Sequence, residues 1–243
     1  MTDIHMHILP GLDDGAEDIY EALEMADTAA RDGVRNIVAT PHFNVPGEEG
    51  YTKEEYTHAF RRLQRAIDDE HIPVSLFGGA ENFAAENISS LISSGRAKTL
   101  AGSRYILIEF DFGCEAEFAN RIAGEILSLG LVPVIAHAER YEFVRDDVFG
   151  ALRALREAGC VIQLNRGSLE GSFGADVMEA AHFIVSNRLC DVVASDAHGA
   201  HFRTPQLSRA ADTVANETSE RYARLLFGIN PQRMIADKSI IRP

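Results

Sequence analysis

The chain has 243 residues, 46% of them hydrophobic, which is enough for one large α/β domain with a buried core. Its 37 acidic residues outweigh 23 basic ones, a formal charge of −14 that argues against broad nucleic-acid binding, where phosphate contacts supply most of the affinity. Three scattered cysteines, Cys114, Cys160 and Cys190, exclude a disulfide framework or a zinc-thiolate motif and read as buried reduced thiols; with no signal-like start and no long apolar run, the expected location is the cytoplasm, without membrane insertion.

Strand-like runs alternate with helical stretches along the chain, the pattern of a parallel sheet with crossover helices. A strand is expected at residues 2–7, then a helix at 16–31, a strand at 36–40 and a helix at 53–69. Next come a strand at 74–78, a short helix at 85–94, a strand at 105–110 and a helix at 115–129. A strand at 132–136, a helix at 147–158, a strand at 161–164, a helix at 176–187 and a seventh strand at 191–195 follow, and helices at 203–217 and 219–227 close the chain. Gly33, Gly130 and Gly159 stand where helices give way to strands, as left-handed caps do. No repeat, low-complexity tract or linker divides the chain, so a single domain over 1–243 is expected. The stretch 43–51, rich in Gly, Glu and Asn, reads equally well as a solvated loop or as a substrate rim.

The loops after the strands collect the chemistry, as at the C-terminal face of a β/α barrel. In chain order they offer His5 and His7, Asp14, His42, Glu81, Glu109, His137, and Asp196 and His198. His5 and His7 share a strand face, as do Asp196 and His198 if the strand persists that far. Any one histidine in an apolar strand is more often a hydrogen-bonded core residue than a ligand. Together they reverse those odds, since five imidazoles and four carboxylates buried without cations would cost on the order of several kcal/mol. Nitrogen and oxygen ligation without thiolate favours manganese, iron, zinc or magnesium, and nine ligands fit two or three ions. Such ions can bind a hydroxide and clamp a phosphoryl oxygen, so the expected reaction is phosphoester hydrolysis.

Carbon–nitrogen hydrolysis on a similar scaffold commonly uses a bridging lysine on strand four, where this chain has Glu109, and a histidine after strand six, where it has Asn165. The only lysines, Lys53, Lys98 and Lys238, lie away from strand ends. Arg140, three residues past His137, and Arg203, five past His198, can overhang the site and grip a phosphate with planar guanidinium forks. The bland alternative for Arg140 is a surface ion pair with Glu139 or Glu142.

The run Asp-Ile-His-Met-His-Ile-Leu-Pro-Gly-Leu-Asp-Asp-Gly at 3–15, with Ala-Thr-Pro-His ending at His42, Leu-Ile-Glu-Phe around Glu109, Ala-His-Ala-Glu-Arg-Tyr at 136–141 and Ala-Ser-Asp-Ala-His ending at His198, resembles the polymerase and histidinol phosphatase (PHP) superfamily. Within it the chain is most similar to the bacterial manganese-dependent tyrosine phosphatases of capsule and exopolysaccharide loci. The resemblance implies a distorted seven-stranded (β/α)7 TIM-like barrel and a three-metal site, Mn2+ foremost, on the nine residues above, with Arg140 and Arg203 on the phosphate. It also implies a phosphotyrosine-containing partner, such as the tail of a bacterial tyrosine kinase, attacked by a metal-bridging hydroxide. Ala138 stands where the family usually has proline, Phe43 where it often has a second histidine, and the match around Glu81 is loose. The rival readings are a PHP-type phosphatase of a small metabolite such as histidinol phosphate, and a non-catalytic, metal-stabilised binding module.

Overall fold

The computed structural model describes residues 1–47 and 50–242, so Glu48 and Glu49 of the 43–51 stretch lie outside the described residues. Nine strands are present among them where seven are expected: β1 Thr2–Met6, β2 Asn36–Ala39, β3 His42–Phe43, β4 Ser75–Gly78, β5 Glu81–Phe83, β6 Tyr105–Glu109, β7 Val132–Ile135, β8 Val161–Asn165 and β9 Val192–Ala194. All pairings are parallel. One sheet has the order β1-β2-β4 and a second the order β3-β5-β6-β7-β8-β9.

The two extra strands arise because the chain breaks after the second and third expected strands and then resumes extended pairing just beyond each. The chain leaves β2 at Thr40-Pro41, where proline has no N–H for the ladder, and resumes as β3. It leaves β4 at Gly79-Ala80; a Cβ on Gly79 would lie 2.9 Å from Val38 Cγ1, so only glycine permits this close crossing. Both breaks carry the chain from the first sheet into the second, where His42 and Glu81 are register partners. At the far edge, the segment after β9 returns to β1: the His7 N–H donates to the Ala197 carbonyl at 2.9 Å and the Asp196 N–H to the His5 carbonyl at 2.9 Å. The result is a curled parallel sheet.

Alternation along the strands separates two apolar layers. Ile106 and Ile108 face the helices, while Leu107 joins Ile4, Val38, Val134, Val161 and Val192 inside the curl. Met234, in the helix Asn230–Ile235, packs into that inner layer, and the C-terminal segment reaches the start of β6, where Tyr105 donates to the Lys238 carbonyl at 2.9 Å. The inner space is therefore packed with side chains, and the polar groups gather at the strand C-termini.

The helices form near the expected positions, with boundaries set by caps. Helix α1, Ile19–Arg31, begins later than residue 16 because the Asp18 side chain accepts from the Tyr20 and Glu21 amides. Helix α2, Lys53–Asp69, starts on a capping box between Thr52 and Glu55. The expected helix at 85–94 contracts to α3, Ile88–Ser93, and α4 spans Ala116–Ser128. Two short helices escape the periodicity, α5 Glu142–Asp146 and α7 Arg166–Leu169, on either side of α6 Val148–Ala158. The remaining helix before β9 is α8, Ala175–Ser186. Past β9, the expected helix at 203–217 is confined to Ser208–Glu217, which leaves Arg203 in a loop, and that at 219–227 is helical at Glu220–Arg224 before a π-helical turn. Gly33, Gly130 and Gly159 all have positive φ, as their cap positions require. No helix among the described residues is long and apolar enough to cross a membrane.

Candidate metal centre

The nine residues singled out at the strand ends come together at one place. Glu81 is the hub: its Oε2 lies 3.2 Å from His5 Nε2, 3.2 Å from His7 Nε2 and 3.1 Å from His42 Nδ1, and its Oε1 lies 2.9 Å from His137 Nε2. Glu109 stands 3.7 Å from His42 and 3.5 Å from His137. Asp196 Oδ1 is 3.4 Å from His5 and 3.5 Å from His7, and Asp14 is 3.3 Å from His198 and 3.5 Å from His42. Three overlapping sets, His7/Asp14/His42/His198, His5/His7/Glu81/Asp196 and His42/Glu81/Glu109, each bring ligand atoms within 4.8 Å of one another.

Backbone irregularity makes this convergence possible. The register of β1 against β2 shifts between Asp3 and Met6, around His5. The strand does not persist to His198; β9 ends at Ala194, and Asp196 takes a φ of 51°. His137, with a φ of 32°, and Arg203, with a φ of 50°, share this left-handed backbone, which costs a non-glycine residue free energy and concentrates at functional sites.

Around the cluster, further side chains fix the rings. Asp13 Oδ2 meets His7 Nδ1 at 2.7 Å and accepts the His42 N–H at 2.9 Å. Gln163 Oε1 meets His5 Nδ1 at 3.1 Å and accepts the His137 N–H at 3.0 Å, while Gln163 Nε2 donates to Asn165 at 2.9 Å. Asn165 Nδ2 and Arg203 Nη2 both donate to Asp196 Oδ2, each at 2.5 Å, leaving Oδ1 turned toward the imidazoles. The contacts to His7 Nδ1, His5 Nδ1 and Asp196 Oδ2 each occupy one ring nitrogen or carboxylate oxygen and aim the other inward, as partners of metal-bound histidines do, while those to the His42 and His137 amides fix the backbone. Asp13 and Gln163 are not among the site residues expected from the sequence. The signals were present: Asp13 adjoins Asp14, and Gln163 and Asn165 are polar at alternate positions of an apolar strand, hence on one face.

Burial opposes ionisation of Glu81 and Asp196, yet His5 and the other surrounding imidazoles hold both carboxyls well below the usual range. Burial and then the Glu81 charge push Glu109 up to about 8. His7 is held protonated well above its ordinary value because Asp13, Asp196 and Glu81 outweigh its burial, whereas burial lowers His137 and His198. His5 Nε2 and His7 Nε2 lie only 3.1 Å apart, and buried His42 Nδ1, His137 Nδ1, His198 Nε2 and Glu81 Oε2 have no hydrogen-bond partner. Ring nitrogens facing each other across carboxylate oxygens are unsatisfied by protons alone and suit divalent cations. Because Glu109 and His7 hold protons that a cation must displace, binding of a divalent cation is expected to release protons and to tighten as pH rises from about 6 to about 8. Calorimetry in buffers of different ionisation enthalpy reads this directly; an affinity flat across that range would refute it.

Arg140 ends a 3-10 turn, Ala138–Arg140, directly after His137, and makes no ion pair with Glu139 or Glu142. Glu139 instead turns into the core, accepting from the Asn165 N–H at 2.9 Å and Ser168 Oγ at 2.5 Å, and burial pushes its carboxyl up to about 7. The spacing from Cys160 to Arg166 matches the Cys-x5-Arg of cysteine-dependent phosphatases. Its intervening residues are β8 itself and not a phosphate-cradling loop, and burial pushes the Cys160 thiol up to about 12. Cys160 is an inert core thiol.

With this geometry in view, the family whose model describes capsular polysaccharide synthesis proteins, CpsB/CapC, matches residues 1–236. The chain belongs to the CpsB/CapC family. The tyrosine-protein phosphatase YwqE of Bacillus subtilis is 33% identical to this family member over 245 residues, covering 100% of the chain and 94% of the relative. The tyrosine-protein phosphatase CpsB of Streptococcus pneumoniae is 31% identical over 250 residues, covering 99% and 100%. A crystal structure from work on YwqE and CpsB, described as unique metal-dependent tyrosine phosphatases, superposes on this CpsB/CapC member with a TM-score of 0.93 at 32% identity, covering 100% of the chain and 97% of the other. A histidinol phosphate phosphatase of Lactococcus lactis shares the fold, with a TM-score of 0.59 at 17% identity over 93% of the chain and 94% of its own.

Proposed function

We propose that the chain is a metal-dependent protein-tyrosine phosphatase, a single domain over 1–243 in which β2 with β3 and β4 with β5 each act as one stave of a distorted seven-stranded barrel. The observation that carries the reading is the convergence of five imidazoles and four carboxylates on one end of the sheet, beside an arginine, Arg140, that no carboxylate among the described residues neutralises. His5, His7, Asp14, His42, Glu81, Glu109, His137, Asp196 and His198 would hold two or three divalent ions, Mn2+ ahead of iron, zinc or magnesium. Bound there, the ions would supply Lewis-acid stabilisation of phosphoryl oxygens and a water acidified toward neutrality.

The chain's own groups do the rest. Arg140 and Arg203 bind the phosphoryl group and offset the charge that grows on its oxygens. Asp13 and Gln163 keep His7 and His5 in the ring orientation that leaves Nε2 inward. A phenolate leaves with a pKa of about 10, far below an alkoxide, so an aryl ester can be cleaved by a site whose polar groups are committed to cations and positioning. The names of the relatives point the same way, and the proposed substrate is phosphotyrosine on a protein, in particular a bacterial tyrosine kinase of capsule or exopolysaccharide biosynthesis acting in the cytoplasm.

Chelation is expected to reduce aryl-phosphate hydrolysis to background and added Mn2+ to restore it. A panel of phosphotyrosine peptide, histidinol phosphate and nucleotides should be turned over in that order of preference. Full activity in metal-free protein sinks the metal reading, and a preference for histidinol phosphate overturns the substrate.

A further inference from the structure

In the six-stranded sheet β6, β7, β8 and β9 are neighbours, so the loops at their C-terminal ends stand side by side along the rim of the site. The loop after β6 carries Phe112, the turn after β7 Arg140, the segment between α7 and α8 Phe173, and the loop after β9 Arg203. Ring and guanidinium alternate along this rim. The Arg140 guanidinium carbon lies 4.2 Å from the Phe112 ring centroid and 4.5 Å from that of Phe173, and the Arg203 guanidinium carbon lies 5.8 Å from the same Phe173 ring. Phe112 in turn sits 5.7 Å from the His137 ring.

The two arginines are anchored differently. Arg203 donates to Asp196 Oδ2, whose other oxygen faces His5 and His7. The Arg140 side chain has no hydrogen bond or ion pair among the described residues; its only polar ties there are in its backbone, whose N–H donates to the His137 carbonyl and whose carbonyl accepts from Arg145. An aromatic face attracts a guanidinium without occupying its N–H donors or cancelling its charge, which a carboxylate would do. The seat of Phe173 is itself tight, since a Cβ on Gly167 would lie 3.1 Å from Phe173 Cε2.

We infer that Phe112 and Phe173 are positioning residues that hold Arg140 as a charged, unpaired phosphate-binding group, with Phe173 setting its spacing to Arg203. The inference rests on the phosphatase reading for its purpose but is tested on phosphate binding. The probe is inorganic phosphate titrated calorimetrically into the Mn2+-loaded protein, alongside aryl-phosphate kinetics, with Mn2+ content and thermal unfolding measured on every variant.

Phe112→Leu and Phe173→Leu are each expected to weaken phosphate binding about fivefold or more, as the loss of a partly desolvated cation–π contact allows. Phe112→Tyr and Phe173→Tyr, which keep the aromatic face, should retain wild-type affinity. On an Arg140→Ala background, Phe112→Leu should have no further effect. Phe112 is 37% exposed, so its leucine variant keeps the test open if Phe173→Leu does not fold. Unchanged phosphate affinity in the leucine variants, or an equal loss when Arg140 is absent, overturns the inference. Ring-dependent phosphate binding without hydrolysis of any phosphoester leaves the inference standing and removes the phosphatase reading; hydrolysis with ring-independent binding does the reverse.

Discussion

Glu81→Gln is expected to lower the affinity for Mn2+ by at least about 100-fold and, at fixed Mn2+, to lower aryl-phosphate turnover with it. Loss of an outer partner of a metal ligand alone is worth about 10–100-fold, and Glu81 touches four imidazoles through two oxygens. The same substitution has a signature in the metal-free protein. The Glu81 carboxyl is held well below its ordinary value of 4.5, against its burial, by His5, His137 and His42. A depressed carboxyl stabilises the fold above the unfolded-state value and loses that contribution as pH falls through the folded one. Metal-free wild type and Glu81→Gln should thus differ by about 3–5 kcal/mol near neutrality, the range for breaking a buried ion pair, and converge in acid. Urea unfolding across about pH 3 to 7, without metal, supplies the comparison. Equal stabilities at neutral pH together with wild-type Mn2+ affinity would show that Glu81 is not the hub.

Glu81 also marks the boundary of what the sequence reveals. The residues around it match the family loosely, and no strand is expected there, because the apolar run at 74–78 ends at glycine. What places Glu81 in the site is the break at Gly79-Ala80, which starts a second strand and sets it opposite His42. Strand interruptions of this kind leave no periodicity to read: β3 and β5 have two and three residues, too short for alternation to register. The regular elements were legible because their patterns repeat over many residues, as in α2 and β6. Histidine-rich strand ends were legible because five imidazoles among short apolar runs have few other uses. The orienting residues were harder, since Asp13 and Gln163 act through hydrogen bonds to rings that lie close only after the sheet curls. Arg140 shows the same limit: Glu139 and Glu142 neighbour it in sequence, but its actual neighbours are two phenyl rings from adjacent loops.

Gly15→Ala should damage the centre as severely without altering a ligand. Gly15 needs no unusual φ; what it needs is space, because a Cβ there would lie 2.0 Å from the His7 carbonyl oxygen, 2.5 Å from His7 Cβ and 2.8 Å from the His7 carbonyl carbon. These are backbone and near-backbone atoms of a residue that directly follows β1 and is pinned there by its N–H bond to the Ala197 carbonyl, so no side-chain rotation relieves the clash. The loop must move instead. Its hydrogen bonds show what moves with it: the Gly15 N–H donates to Asp13 Oδ1 at 3.0 Å, and the Ala16 N–H donates to the His7 carbonyl at 3.0 Å. Asp13 Oδ2 is the partner of His7 Nδ1 and of the His42 backbone N–H, so displacing the loop frees the His7 ring from its orienting group and the His42 backbone from its acceptor. The expected result is a stability loss of about 3 kcal/mol, the upper end for overpacking, and a Mn2+ affinity lowered about 10–100-fold. Gly124→Ala is the control, because that glycine lies within α4, a Cβ there meets nothing within 4 Å, and the change should stabilise by about 0.5–1 kcal/mol. Unfolding midpoints and Mn2+ titrations of the two variants separate a general cost of replacing glycine from the steric one. A Gly15→Ala protein with wild-type Mn2+ affinity would mean that His7 keeps its orientation without Asp13, and the proposed division between ligands and orienting groups would then fail at its best-defined pair.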